Sequence, residues 1–246
     1  MRLLAQIGAY FLFMRRAFSR PEKFSVFYRQ IMREIDKVGI NSFPIVVIVS
    51  LFVGAVITIQ SNFNIENPLL PRYLVGLTVR DSLLLEFSST MVALILAGKV
   101  GSSIASELGM MRITEQIDAL EVMGINSVSY LILPKIIAAS LFFPILCLLS
   151  IMMGLFGGYI SCIVANVIPP SEYIYGIQYA FYPYYISYAL TKTVFYAVII
   201  TSISSFFGYH VKGGAVEVGK SSTKAVVQSS ILILLANLIL TKTILQ

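Results

Sequence analysis

Residues 134–167, PKIIAASLFFPILCLLSIMMGLFGGYISCIVANV, contain a single charged side chain, Lys135, close to their beginning. A helix needs about 20 apolar residues to cross roughly 30 Å of hydrocarbon, so this stretch exceeds one perpendicular crossing. It forms either one tilted, protruding helix or a hairpin that folds back near Gly154, Gly157 and Gly158. Because no polar turn separates two halves, we predict one helix.

Four more apolar stretches lie along the chain, at residues 44–60, 82–103, 186–207 and 225–245. The composition agrees with repeated membrane crossing, since 57% of the residues are hydrophobic and 12% are charged, against about 45–50% and about 25% in soluble domains. The short alternating segments of a membrane β-barrel are absent. We therefore predict an all-α integral membrane protein with five transmembrane helices, in a domain of residues 44–246.

The first 43 residues differ from this pattern because apolar and basic positions alternate at helical spacing. The apolar positions are Phe24, Phe27, Ile31 and Val38, and the basic positions are Arg29, Arg33 and Lys37. Such a segment is typical of an amphipathic helix that lies on the membrane surface. A signal peptide is the alternative for residues 3–14, but two arginines follow this run and no small-residue cleavage site appears.

The distribution of basic residues predicts the orientation. An amino terminus in the cytoplasm places most lysines and arginines in cytoplasmic segments, including Arg15, Arg16, Arg20, Lys23, Lys99, Arg112, Lys135, Lys212, Lys220 and Lys224. Arg72, Arg80 and Lys242 fall on the other side. By the positive-inside rule we predict a cytoplasmic amino terminus and, after five spans, an extracytoplasmic carboxyl terminus.

Several function classes fit the sequence poorly. The net charge of +6 lies beside apolar spans and not on a soluble basic domain, so nucleic acid is not expected as a partner. The only cysteines, Cys147 and Cys162, lie within one apolar stretch and predict neither disulfides nor a metal site. With His210 as the only histidine, we expect no metal and no cofactor.

The segment after the second stretch, residues 97–124, reads AGKVGSSIASELGMMRITEQIDALEVMG. Its small residues Gly98, Gly101, Ser102 and Ala105 predict close helix approach. Further on, Ile113, Ile117 and Leu120 share one helical face, Glu115, Asp118 and Glu121 share another, and Gly124 is placed to end the helix. This helix either packs on the bundle with a solvated acidic face or docks into a partner.

Residues 214–221, GAVEVGKS, match the P-loop pattern G-x-x-x-x-G-K-[ST]. A P-loop requires a buried strand before it and an α/β domain that supplies a magnesium-binding acid. Here the pattern lies between two apolar stretches, so we interpret it as a chance match.

The run ELGMMRITEQIDALEVMG within residues 97–124, with Pro134 and Lys135 beyond it, and residues 213–227 (GGAVEVGKSSTKAVV) resemble the MlaE family of ABC-transporter permeases. The resemblance covers nearly the whole chain. It implies a homodimeric permease in a bacterial inner membrane, which works with an ABC ATPase and an MCE-domain lipid-binding protein to move phospholipid between membranes. It also implies that ATP is hydrolysed by the partner.

The resemblance further implies that residues 114–123 are the helix that docks on the ATPase. The coupling residues predicted on this basis are Thr114, Glu115, Gln116, Asp118 and Glu121. One departure from the family pattern concerns the second span, where members of the family often carry Arg-Glu-Leu-Gly-Pro and this chain has Leu85-Glu86-Phe87-Ser88-Ser89. The carboxylate is kept, whereas the adjacent basic residue is not.

Glu86 and Lys192 are the ionisable residues predicted to lie inside the membrane, where such groups usually face a cavity or each other. Each lies about one and a half turns from the outer end of an inward-running span, roughly 6–9 Å deep. We predict that they meet and line a lipid cavity; the alternative is an ion pair that only fixes helix packing.

Two other function classes are compatible with the sequence. An intramembrane hydrolase requires Ser88, Ser89 and Glu86 to form a catalytic arrangement. A structural membrane scaffold requires no chemistry and predicts no effect of lipid on ATP hydrolysis in the assembled complex.

Overall fold

The computed structural model describes residues 2–19, 24–65 and 70–245, and within these ranges it contains helices and short connections but no strand. The helices are α1 (Arg2–Ala17), α2 (Phe24–Glu34), α3 (Phe43–Asn64), α4 (Tyr73–Ser82), α5 (Val92–Leu96), α6 (Ser102–Ile113), α7 (Gln116–Val122), α8 (Ser127–Val164), α9 (Pro170–Gln178), α10 (Tyr184–Tyr209) and α11 (Ala215–Leu245). The all-α prediction is confirmed.

Five continuous helical stretches are long and apolar enough to cross a membrane. We call them spans 1 to 5: Phe27–Asn64, Tyr73–Ile113, Ser127–Val164, Tyr184–Tyr209 and Ala215–Ile244. The predicted number of transmembrane helices is therefore confirmed, and the longest apolar stretch forms one helix, α8, as predicted. Most spans exceed their predicted bounds because backbone hydrogen bonding continues into polar residues that hydropathy assigns to loops.

Spans 1 and 2 are not uniform α-helices. A π-helical segment, Ile35–Gly39, and a 3-10 turn, Ile40–Ser42, join α2 to α3, and two further π-helical segments, Leu83–Met91 and Ala97–Gly101, flank α5. The helix bounds do not decide whether residues 1–43 lie on the membrane surface, so that assignment and the boundary at residue 43 stay predictions. Arg20 and Lys23 of the orientation argument lie outside the described residues.

The chain packs as two units, which are described separately. The first comprises Met1–Ser42, Ala93–Phe143 and Val194–Thr243, and the second comprises Phe43–Val92, Pro144–Thr193 and Ile244–Gln246.

In the first unit, α1 packs on the last turns of α10. Phe13 is buried against Phe206 and Tyr209, with ring centroids 5.6 and 5.2 Å away, and the Tyr10 hydroxyl donates a 2.7 Å hydrogen bond to Ser202 Oγ. The Phe13–Phe206 pair is edge-to-face, an arrangement that adds to the stabilisation from burial. The end of α1 is thereby fixed on the helical bundle.

The small residues in the second half of span 2 differ in whether another helix packs against them. A side chain at Gly208 of α10 would meet the backbone of Ala105, and one at Gly101 would meet Ser204, so close helix approach is confirmed there. Gly98 was expected to share this role, but it faces open space. Gly98 therefore takes no part in this contact within the chain, because sequence spacing does not show which small residue faces the neighbouring helix.

In the second unit, α3 and α8 approach until their backbones touch. A side chain at Gly54 would collide with the backbone of Gly154, and Ser50 Oγ donates a 2.7 Å hydrogen bond to Ser150 Oγ on the same pair of helices. Small residues allow this approach because they leave room for the two backbones to come close. The resulting dispersion contacts, and not expulsion of water, hold such helices together in membranes. The contact lies within α8, which is one helix where a hairpin was the alternative.

Helix α9 lies in a connection for which the sequence predicted no helix. The buried Arg80 guanidinium donates hydrogen bonds to the carbonyl oxygens of Ile177 and Tyr179 at 2.8 and 2.7 Å, and pairs with Asp81 at 2.8 Å. These bonds satisfy carbonyl groups that the end of a helix leaves without partners.

Candidate functional site

Glu86 and Lys192 form an ion pair in the second unit. Lys192 Nζ lies 3.1 Å from Glu86 Oε1, and it also donates to the Leu85 carbonyl oxygen at 3.1 Å and to the Tyr188 hydroxyl at 3.0 Å. The side chain of Lys192 is fully buried. The predicted meeting of these two charges is confirmed, whereas their role in lipid binding stays a prediction.

The two side chains of the pair differ in how much of their surface is exposed. The Glu86 side chain is 41% exposed, although Lys192 and Thr90 both bond its carboxylate, the latter at 3.2 Å. Glu86 lies within the π-helical segment Leu83–Met91. Such wider turns are frequent at functional sites because they change which backbone and side-chain groups point outward. A fixed buried cation therefore sits behind an accessible carboxylate.

The neighbouring serines do not join this pair. Ser88 Oγ is buried without a hydrogen-bond partner, and Ser89 Oγ donates to the backbone carbonyl of Glu86 at 3.3 Å. Nucleophilic catalysis requires a hydroxyl within hydrogen-bond reach of a base. Neither of these hydrogen-bond assignments pairs Ser88 or Ser89 with the Glu86 carboxylate or with Lys192.

Helix α7 begins after a sharp break in the chain. Glu115, with φ +60°, separates α6 from α7, so the helical part of the predicted segment runs from Gln116 to Val122. At its other end Gly124 has φ +77°, and the Gly124 and Ile125 amides bond the carbonyls of Glu121 and Leu120. This is the Schellman arrangement that commonly ends a helix at glycine.

The predicted coupling residues have different surroundings. Thr114, Glu115 and Gln116 are exposed, and Thr114 Oγ1 donates to the Met110 carbonyl at 2.8 Å. Asp118 is half exposed and pairs with Arg112 at 2.6 Å. Ile117 is fully buried, as its position on the apolar face predicts.

Glu121 is engaged within the chain. Its Oε1 accepts hydrogen bonds from Tyr209 at 2.9 Å and from Ser127 at 3.0 Å, and these two hydroxyls are themselves 2.9 Å apart. Glu121 thus connects α7 to the start of α8 and the end of α10. Acidic spacing along a helix gives no sign of such a contact, because the partners come from distant parts of the chain.

A charged network in the first unit was also missed by sequence reasoning. Lys135 is 3% exposed and bonds Glu34 at 2.8 Å and Glu107 at 2.7 Å, while Lys37 bonds the other oxygen of Glu107 at 2.7 Å. This network joins α2, the π-helical segment after α2, α6 and α8. The signal available in the sequence was Lys135, the one charge in the longest apolar stretch.

The P-loop pattern is mostly helical in the structure. Helix α11 begins at Ala215, so Gly219, Lys220 and Ser221 lie within it, and Lys220 pairs with Glu217 at 2.6 Å. A P-loop holds phosphate with the amides of an open loop that precedes its helix. Residues 215–221 do not form such a loop.

Comparison with known proteins decides the family. The model of the family described as permease MlaE matches residues 31–243, which include most of every span. The chain belongs to the MlaE permease family. It is 36% identical to a probable ABC transporter permease protein of Rickettsia typhi, over 96% of this chain and 91% of that protein.

Two other relatives of this MlaE-family chain carry similar names. A probable ABC transporter permease protein of Rickettsia bellii is 34% identical over 98% of this chain and 93% of its own length. The intermembrane phospholipid transport system permease protein MlaE of Haemophilus influenzae is 29% identical, over 86% of this chain and 81% of its own length. This MlaE-family protein is accordingly a multi-pass membrane permease, a transporter component and not a catalytic subunit.

Proposed function

We propose that this chain is the permease subunit of an ATP-driven transporter that moves phospholipid between bacterial membranes, in the manner that maintains the lipid asymmetry of an outer membrane. Two copies enclose a lipid cavity in the inner membrane, an ABC ATPase binds from the cytoplasm, and an MCE-domain protein receives or delivers lipid outside. The observation that carries this proposal is the match to a permease family across all five spans.

The Glu86–Lys192 pair provides chemistry suited to a phospholipid. A phosphodiester carries one negative charge, and ammonium groups bind phosphate oxygens through charge-assisted hydrogen bonds. With Lys192 buried and Glu86 41% exposed, an entering phosphate reaches the carboxylate side of the pair first. We propose that Glu86 holds Lys192 in place and that the phosphate shares or takes over this contact during transport.

The test uses the complex of this chain with its ATPase and MCE partner in proteoliposomes. Transfer of fluorescent phosphatidylglycerol is compared for wild type, Lys192→Met, Glu86→Gln and the double variant, with assembly followed by size-exclusion chromatography. We expect well-assembled single variants that lose transfer. Full transfer by both singles contradicts the cavity role, and lost assembly that the double variant restores supports the packing role instead.

The exposed face of α7 supports docking of an ATPase. Val122 is 89% exposed and Met123 is 66% exposed, and Glu115 and Ala119 are exposed beside them. Apolar side chains with acidic neighbours on one exposed surface are typical of the centre and rim of a protein interface. The engaged carboxylates of Asp118 and Glu121 are then more suited to holding α7 in place than to contacting the partner.

A substitution on this face tests the docking proposal. Val122→Glu should reduce co-purification of the ATPase about ten-fold or more, because a buried unpaired charge at an interface is costly. Val164→Glu is the matched control, since Val164 is 77% exposed but lies at the end of α8. Equal ATPase recovery with both variants excludes docking at Val122.

The proposed orientation has the amino terminus in the cytoplasm and the carboxyl terminus outside. Alkaline phosphatase fused to the carboxyl terminus should then be active in cells, whereas a green fluorescent protein at that end should not fluoresce after export. The reverse result contradicts the orientation.

Cross-linking of differently tagged copies tests the homodimer, and a complex that contains one copy excludes it.

Two rivals to this proposal make different predictions. An intramembrane hydrolase acts on lipid or peptide without nucleotide or partners, whereas the placement of Ser88 and Ser89 gives no nucleophile and base pair to support it. A structural scaffold leaves the partner's ATP hydrolysis unchanged when phospholipid is added. Lipid-stimulated hydrolysis in the complex, with none by the chain alone, favours the permease over both.

A further inference from the structure

A cavity of about 600 Å³ lies in the first unit, beside the end of α1. Arg15, Arg16 and Ser19 form one side of it, and Tyr209 and His210 at the end of α10 form another. The residues that line it include apolar side chains but no carboxylate among the described residues. The cavity therefore combines positive charge with apolar surface.

The two arginines are available to a ligand. Within the described part of the chain, neither guanidinium pairs with a carboxylate, in contrast to Arg80 and Arg112, which both do. Arg15 and Arg16 also lie in the last turn of α1, where positive charge complements the helix dipole. That contribution to helix stability does not use the N–H donors of the guanidinium groups.

Contacts within the unit hold the walls of the cavity in position. Asn126 Nδ2 donates to the carbonyl oxygens of Arg16 and Ser19 at 3.2 and 2.9 Å, which ties the end of α1 to the residues after α7. His210 Nδ1 lies 2.9 Å from the Phe206 carbonyl oxygen, which holds the ring at the end of α10. A site with fixed walls binds its ligand at a lower cost in conformational entropy.

Apolar surface continues from the cavity along α1. Leu12 lines the cavity and is 64% exposed, and its neighbour Phe11 is 68% exposed. A soluble phosphate compound has no apolar part that could bind this surface, whereas a phospholipid has acyl chains beside its charged headgroup. Two unpaired guanidinium groups favour a headgroup with net negative charge over a zwitterionic one.

We propose that this cavity binds the headgroup of an anionic phospholipid, with the phosphodiester between Arg15 and Arg16 and the acyl chains along Leu12 and Phe11. This lipid is a resident ligand that anchors α1 at the membrane and is separate from any transported lipid. The proposal does not depend on the proposed transport function, because it concerns binding by residues outside the Glu86–Lys192 pair and α7.

Native mass spectrometry of the full chain in detergent micelles tests this site by titration with dioleoylphosphatidylglycerol. Arg15→Gln with Arg16→Gln should weaken binding about ten-fold or more, because both charge-assisted contacts are lost. Arg29→Gln is the charge control, since Arg29 is exposed on α2 and does not line this cavity. Dioleoylphosphatidylcholine, which has the same chains but no net charge, should bind about ten-fold more weakly than the anionic lipid.

A second variant fills the cavity without changing its charge. Ala9 lines the cavity and Ala5, one turn earlier on α1, does not, so Ala9→Trp should weaken binding of dioleoylphosphatidylglycerol and Ala5→Trp should not. Helix content by circular dichroism verifies that each variant is folded. The proposal is overturned if the double arginine variant binds with wild-type affinity, if the two lipids bind equally, or if the two tryptophan variants behave alike.

Discussion

Lys135 and Lys192 are both lysines buried within spans, at 3% and 0% exposure, yet their partners differ. Lys135 bonds two carboxylates, and one of these also bonds Lys37, so two positive and two negative charges balance. Lys192 bonds the carboxylate of Glu86, a backbone carbonyl and a phenol. The first arrangement links Lys135 to carboxylates on two helices, and the second links Lys192 to a carboxylate that is 41% exposed.

The difference suggests different tasks for the two lysines. A buried charge with several partners is costly to disturb, so the Lys135 network is suited to holding helices together. The carboxylate partner of Lys192 is 41% exposed, so a ligand can compete for the contact without first unpacking the bundle. We therefore expect substitutions at Lys135 to affect folding and substitutions at Glu86 to affect transport.

The largest effect on stability is expected for Lys135→Met. This change leaves the Glu34 carboxylate without its 2.8 Å partner and removes one of the two lysines bonded to Glu107. The free energy of unfolding should fall by about 3–5 kcal/mol, the range for breaking a buried ion pair. Denaturant titration in mixed micelles measures it, and a loss below about 1 kcal/mol contradicts a structural role.

Glu86→Gln should have a smaller effect on stability and a large one on transport. The glutamine keeps a hydrogen-bond acceptor near Lys192 but removes the negative charge that pairs with it, so we expect a loss of about 1–3 kcal/mol. Phospholipid transfer should fall at least about ten-fold if the pair handles a lipid phosphate. If the loss of transfer is no larger than the loss of folded protein, Glu86 has no role in transport beyond stability, and the proposed difference between the two lysine sites is wrong.

Tyr209→Phe tests a third polar cluster, at the end of α10. It removes one of the two hydroxyls bonded to Glu121 and should lower stability by about 1 kcal/mol, a typical value for one hydrogen bond. ATP hydrolysis should then respond less to lipid, because α7 is held less firmly. Tyr10→Phe is the control, since its hydroxyl bonds Ser202 and not α7; an equal loss of coupling in both variants argues against transmission through Glu121.

The smallest effect is expected for Lys37→Met. Lys37 shares Glu107 with Lys135, but its side chain is 57% exposed, so water competes for the contact. The loss of stability should be about 0–1 kcal/mol, as for other exposed ion pairs. An effect as large as that of Lys135→Met would show that the network acts as one unit whatever the exposure of its members.

Sequence reasoning found the spans and one of the two lysine sites. The Glu86–Lys192 contact was predictable because helix geometry places both side chains at a similar depth on spans that run in the same direction. The number of spans and the single helix of α8 followed from uninterrupted apolar runs. These features depend on local pattern and on chain direction.

The remaining features depend on tertiary contacts between distant residues. Lys135 bonds Glu34, 101 positions away, and Tyr209 bonds Glu121, 88 positions away. Spacing along a helix gave Glu121 the same predicted role as Glu115, and only the structure shows that the exposed Glu121 also bonds Tyr209 and Ser127. Helix α9 was also missed, because Arg80 from another helix satisfies its terminal carbonyls.

The most direct measurement is ATP-dependent transfer of fluorescent phospholipid by proteoliposomes that contain this chain with its ATPase and MCE partners. We expect transfer with ATP by the wild-type complex, no transfer without ATP, and loss of transfer in Lys192→Met while the complex remains assembled. Transfer that is independent of ATP, or unchanged in Lys192→Met, would contradict the account of this chain as a lipid permease that works through its buried ion pair.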